Sequence, residues 1–497
     1  MRRVMLNNTI IGVCLILAFQ GCAQAPHGFK ASPSNDNVST LFEGIRKNEA
    51  LLQYFFSQMP KGGDLHNHLT GSAYAETYFN IALRDSMFLD TVTYVLYLKN
   101  DDHKPSTSIQ LKPGINNEHA YRLKSIDSWS IRNFNACRQT LPPDEFFFAT
   151  FGIFGAAIGG NLAELLIELR LRAELENVQY LEIMAASPKA YQNLLNDYKQ
   201  QNDSLIDLIK KRDSLGIMNV LSNLFSEFEK SDSLKKSIST YVNFINNIDS
   251  ISRDSAKSVI SYYQAYAGRN NKNPVIVFAQ AYIGFKSSAD SSSKLVGVNI
   301  IQPENGDYAL RDYWGHMQMF GYLKDKIPGV KTSMHAGELR LGLTPPEDLQ
   351  NHVDQAVTIA KANRIGHGVD IAFEKNAKEV LSKMANIAIE INLSSNEFIL
   401  GVKDSEHPIM LYRKSGVPIV LSTDDAGILR TNLTQQFVMA ALRYPDLKYE
   451  DFRQFVLNSI DYSFMPSSEK TNMKQKLNDL LLDFEKRIAS VLFSFNP

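Results

Sequence analysis

The chain has 497 residues, 44% of them hydrophobic and 21% charged, which is enough apolar side chain for a large core. Lys and Arg total 52 against 53 Asp and Glu, so there is almost no net charge. That balance shows no basic stripe and argues against nucleic acid and for a small-molecule partner. Three cysteines support no disulfide framework.

The first residues read as an address rather than as fold. Arg2-Arg3 is a short cationic start, and the apolar run Thr9–Phe19 that follows is too short to span a bilayer. It ends in Gln20-Gly21-Cys22, which resembles a bacterial lipoprotein signal. That resemblance implies a signal peptide over 1–21, lipidation of Cys22, and an exported cell-envelope lipoprotein held to the periplasmic or outer membrane by its N-terminal lipid. A plain secretory signal or an uncleaved anchor is the alternative. Residues 22–38 then read as a flexible tether, and 39–497 as one domain. Only Cys137 would remain in that domain as a thiol.

Residues 38–59 carry apolar positions at helical spacing, and Gly62-Gly63 ends that helix. A strand through His66 follows. Further candidate strands are Gln179–Met184, Val259–Tyr266, Leu295–Ile301, Val330–Met334, Arg364–Ile371, Ile387–Leu393 and Val417–Ser422, eight in all. They are short, rich in Val and Ile, and mostly separated by helix-like stretches. That pattern predicts an α/β fold with a parallel sheet covered by helices, and eight strands suggest a closed (β/α)8 TIM barrel. A doubly wound open sheet is the alternative, but no Gly-rich phosphate fingerprint follows the first strand. Insertions at 81–140 and 190–256 are expected over the catalytic face, and Leu433–Phe493 is expected to be helical and to close the barrel.

The candidate chemistry lies at strand ends. His66 and His68, one residue apart, face the same side of a strand. His335-Ala336-Gly337-Glu338, Gly366-His367-Gly368, Ser394-Ser395-Asn396 and Asp424-Asp425 each follow a later strand. Taken singly, each has an ordinary structural explanation as a bonded histidine or a helix cap. Jointly they assemble a site. His66, His68, His335 and Asp424 can bind one divalent metal and leave a position open for water. His367 is left to orient or deprotonate that water, Glu338 to carry a proton to a substrate nitrogen, and Asp425 to accept a substrate hydrogen bond.

These motifs, in this order, resemble the adenosine deaminase family of metal-dependent amidohydrolases. The resemblance runs over about residues 50–490. Tyr180–Ile183 looks like the family's second strand, and Ser125–Phe134 like a segment of its secreted, growth-factor-like branch. The resemblance implies a (β/α)8 barrel and one zinc ion on His66, His68, His335 and Asp424. It implies Glu338 as the acid at purine N1, His367 as the water-orienting histidine and Asp425 at N7. The implied reaction is attack of metal hydroxide on C6 of adenosine, 2′-deoxyadenosine or a related aminopurine nucleoside, with loss of ammonia. Zinc rests on the family, since His3Asp also suits iron, nickel or cobalt.

Two positions depart from the family pattern. Thr70 stands where many members carry a ribose-contacting Asp, and Gln302-Pro303 where they carry a Gly that donates to purine N3. Thr70 and Gln302 are therefore expected at the substrate, with altered contacts. Another amine-bearing heterocycle or a modified nucleoside is the alternative substrate, and a binding protein with a vestigial site the lesser one. The cytidine-deaminase type of zinc site is excluded, because it needs paired Cys ligands.

Overall fold

A computed structural model describes residues 35–135 and 140–493. The expected signal, Cys22, most of the tether and Cys137 lie outside the described residues. A helix begins at Asn35, inside the stretch expected as tether. The single helix expected over 38–59 is two, Asn35–Ile45 and Glu49–Gln58. Asn48 separates them by capping the second, its side chain accepting from Leu51 N. The apolar spacing runs across the break, which hid it.

Eight parallel strands form the centre: β1 Gly63–His68, β2 Tyr180–Met184, β3 Ile260–Gly268, β4 Leu295–Ile301, β5 Lys331–Ala336, β6 Arg364–His367, β7 Ala388–Ile391 and β8 Ile419–Leu421. Each pairs with its neighbours in chain order. The sheet closes through a parallel bridge between Asn67 and Asp424. There Asp424 N donates to His66 O at 2.9 Å and Ser72 Oγ to Asp424 O at 3.0 Å. Thr423 Oγ1 donates to Asp64 Oδ2 at 2.6 Å across the same seam. The result is a nearly closed (β/α)8 barrel surrounded by helices.

The strand expected over Arg364–Ile371 stops at His367. His367 (φ +70°) and Gly368 (φ +55°) are both left-handed, which turns the chain out of the sheet into a short 3-10 helix.

The two insertions take different places. Residues 81–140 include a small antiparallel sheet, Phe88–Asp90 between Leu96–Tyr97 and Ser108–Gln110, and a helix Glu118–Ser128. They brace the helix Pro143–Phe154 from behind, through Trp129 against Phe154 and Phe134 against Phe146. The helices of 190–256 pack on helices Pro274–Ser288 and Asp307–Lys326, at the flank of the barrel. Among the described residues, neither stretch lines the cavity at the strand ends. Helices Leu433–Arg443, Tyr449–Asp461 and Ser467–Phe493 pack with the two N-terminal helices. Phe42, Phe55, Phe56, Tyr449 and Phe452 form a buried aromatic cluster there.

Candidate metal and catalytic site

The carboxyl ends of the strands surround a cavity of about 370 Å³. His66 and His68 come from β1, His335 from β5, His367 from β6, and Asp424 and Asp425 from the turn after β8. His68 Nε2 stands 3.2 Å from His335 Nε2 and 3.3 Å from Asp424 Oδ1. His66 Nε2 is 3.7 Å from the same Asp424 oxygen. Donor atoms of His66, His68 and His335 all lie within 4.8 Å of one another, as do those of His66, His367 and Asp424, and of His68, Asp424 and Asp425. Distance alone therefore admits His367 and Asp425 beside the expected four.

Hydrogen bonding separates them. His66 Nδ1 contacts Glu390 Oε2 at 2.7 Å, and His335 Nδ1 contacts Asn299 Oδ1 at 2.9 Å. Each acceptor takes an Nδ1–H and so leaves the ring's Nε2 lone pair facing the cavity. His66 Nε2 is buried and has no hydrogen-bond partner among the described residues. Burial pushes His68 down to about 4, and burial with the nearby imidazoles holds His335 well below its usual range. Two neutral imidazoles facing each other at 3.2 Å, with a carboxylate alongside, fit a divalent cation.

The support behind the donors is charged and buried. Glu390 also accepts from Ser333 Oγ at 2.9 Å and Arg364 Nε at 2.5 Å, and Arg364 reaches Glu182 at 2.5 Å. Burial alone would raise the Glu390 carboxyl, but Arg364 and His66 outweigh it and bring it to about 2. Glu304 holds the turn after β5, accepting from Gly337 N at 3.0 Å and Glu338 N at 2.8 Å. It also accepts from His352 Nδ1 at 2.6 Å and faces Arg269. None of Glu182, Arg269, Asn299, Glu304, Arg364 or Glu390 was singled out by the motifs. Three carried a signal, for Glu182, Asn299 and Glu390 each interrupt an apolar strand. A polar group there must be paired, and so marks a network.

Glu338 lines the cavity, with its Oε1 3.7 Å from His367 Nδ1. Burial, reinforced by the charges of Asp424 and Glu304, pushes its carboxyl well up, toward the protonated form. Burial and Asp424 do the same to Asp425. Gly71 makes room for Asp425: a Cβ at Gly71 would fall 1.5 Å from Asp425 Oδ1.

Thr70 lines the cavity too. Gln302 (φ +84°) does so with its amide turned aside, its Oε1 accepting from Asn270 N at 2.9 Å. Apolar side chains line much of the rest of the cavity: Phe147, Phe148 and Phe151 from the helix Pro143–Phe154, with Met184, Ile301 and Ile399. Among the described residues, none that lines the cavity is Lys or Arg.

Residues 289–480 match the family model described as adenosine deaminase. An adenosine deaminase of Clostridium perfringens is 32% identical over 154 residues, 31% of this chain and 43% of that protein. The matched stretch thus spans less than half of the curated relative's length. A solved amidohydrolase of Burkholderia ambifaria with bound zinc superposes with a TM-score of 0.52 and 16% identity, over 88% of this chain and 94% of that one. The apo N6-methyl-AMP deaminase of Arabidopsis thaliana gives 0.51 and 17%, over 86% and 98%. At such identity the two structures share the fold.

Proposed function

We propose, from the match of residues 289–480 to the adenosine deaminase family model and from the site geometry, that the chain is a metal-dependent hydrolase that deaminates an unphosphorylated aminopurine nucleoside, releasing ammonia. The observation that carries the proposal is the convergence of Glu338 and His367 on the donors of His66, His68, His335 and Asp424 in one cavity. Those four would hold one divalent ion, zinc by analogy with the Burkholderia ambifaria structure. When bound, such an ion lowers the pKa of a water toward about 7 and supplies a nucleophile at neutral pH.

The chain's own groups supply the rest. Glu338, kept protonated by burial, hands its proton to the ring nitrogen beside the attacked carbon. Asp425 fixes the far ring edge by donating to a second ring nitrogen. His367 sits against Asp424, where it orients the attacking oxygen. Water enters and ammonia leaves, so the amino carbon becomes a carbonyl. The Phe147, Phe148 and Phe151 wall excludes solvent from the reacting centre.

The cavity lining favours a neutral ligand. A phosphate would have to be desolvated against Phe and Ile, with no Lys or Arg among the described lining residues to pair it. Ammonia release from adenosine, 2′-deoxyadenosine and related 6-aminopurine nucleosides, beside their 5′-monophosphates, tests this. Turnover of nucleosides over the monophosphates is expected; the reverse order, or no ammonia from either, would contradict it. Thr70 and the averted Gln302 favour a second reading, in which the substrate is a modified nucleoside or another amine-bearing heterocycle. Turnover confined to such compounds would select it.

Export as a lipoprotein through Cys22 remains part of the proposal, resting on Arg2-Arg3, the apolar run and Gly21-Cys22. Retention in the membrane fraction should be lost in Cys22→Ser; retention unchanged in that variant would refute it.

A further inference from the structure

We propose that Asn396 and His407 are positioning residues that fix the tautomer of His367, so that it turns an N–H rather than a lone pair toward the reacting oxygen. The backbone N–H of Ile409 lies 3.2 Å from His407 Nδ1 and can only donate. His407 Nδ1 is therefore an acceptor, and the buried ring carries its proton on Nε2. That Nε2–H lies 3.1 Å from Asn396 Oδ1. With its oxygen so engaged, the Asn396 amide must present its NH2 to His367 Nδ1, which lies 3.0 Å away. Asn392 Nδ2 approaches the same ring nitrogen at 3.5 Å.

His367 Nδ1 is then an acceptor as well. An imidazolium, or the opposite tautomer, would set N–H against N–H at a buried contact, with the cost of an unmade hydrogen bond. The proton of His367 therefore sits on Nε2. This atom is buried, lies 3.8 Å from Asp424 Oδ2 and has no hydrogen-bond partner among the described residues. It is the ring's only nitrogen free to meet the attacking oxygen.

The consequence bears on the reaction proposed above and rests on that reading. An Nε2–H cannot take a proton. His367 orients the attacking oxygen and stabilises the negative charge that develops on it, and its own protonation is unchanged through the cycle. Glu338, once it has given its own proton to the ring nitrogen, takes the proton released by water and passes it to the leaving ammonia. Of the two roles open to His367 in the sequence, orientation is the one this wiring permits.

The tautomer can be read without substrate. Nitrogen-15 NMR of the zinc-loaded, histidine-labelled protein would assign the His367 ring by the loss of its signals in His367→Gln. An Nε2–H ring is expected in the wild type. Asn396→Asp, which turns a donor into an acceptor, should move the proton to Nδ1. His407→Leu frees the Asn396 amide to flip, which should mix the tautomers and lower kcat by about 10–100-fold at nearly constant KM and zinc content. His407→Gln can accept from Ile409 and donate to Asn396, and should restore the tautomer and most of kcat. An Nδ1–H or doubly protonated ring in the wild type, or a tautomer unmoved in Asn396→Asp, would overturn the proposal. Absence of ammonia release with the expected tautomer would instead count against the deaminase reading alone.

Discussion

Glu338 and Asp424 illustrate how one pocket keeps two carboxyl groups in different states. Both are buried, and both would be neutral by burial alone. Asp424 lies among the imidazoles of His66, His367 and His68, which offset its burial and hold its carboxyl below the usual range. Glu338 meets the negative charge of Asp424 and Glu304, which adds to its burial and holds the proton on. A metal donor must be ionised and an acid must not, so the separation suits both roles. Glu338→Gln removes the transferable proton while preserving shape. We expect it to abolish turnover with metal content unchanged, as read by ammonia release and metal analysis on the same sample. Substantial deamination by that variant would refute the acid role. Thr70 and Gln302 are where residue-scale reading of the sequence stopped. Their identity was visible as a departure, but the hydrogen bond that averts Gln302 depends on Asn270 at the end of a different strand.

At the scale of elements, the barrel strands do two jobs. Their apolar residues make the sheet, and single polar residues within β2, β4 and β7 reach inward to hold the site. Glu390 links Arg364 on β6 to His66 on β1, so three strands share one buried charge network. Glu390→Ala would leave Arg364 with half its charge pairing and His66 without its orienting acceptor. Breaking such a pair costs roughly 3–5 kcal/mol, and loss of the orienting group about 10–100-fold in metal affinity. Chemical denaturation and metal titration check these two effects, and a variant as stable and as metal-avid as the wild type would contradict the account. The motif residues were legible because they cluster beside glycines at strand ends. Their supports were not, because Arg269, Glu304 and Arg364 meet them only through the closure of the barrel.

At the scale of the molecule, the alternation of strands and helices was readable because apolar runs rich in Val and Ile mark buried parallel strands, and the eight expected positions are those of the barrel. The placement of the insertions was not, since a polar helical stretch gives no sign of whether it covers a face or a flank. The buried carboxylates also set an acid limit on stability. Glu304 and Glu390 both lie at about 2 against an ordinary 4.5. Their folded-state values are depressed, so the stability they contribute is complete above the unfolded value and lost as pH falls toward the folded one. Denaturation midpoints should fall between about pH 5 and about pH 2, and less steeply in Glu304→Gln; a flat profile would contradict this assignment. The most direct test of the whole account is to strip the purified protein of metal, restore zinc in steps, and follow ammonia release from an aminopurine nucleoside. The account predicts no release from the stripped protein and a linear rise that ends at about one ion per chain. Release that persists without metal, or a fully loaded protein that frees no ammonia from any aminopurine, would contradict it.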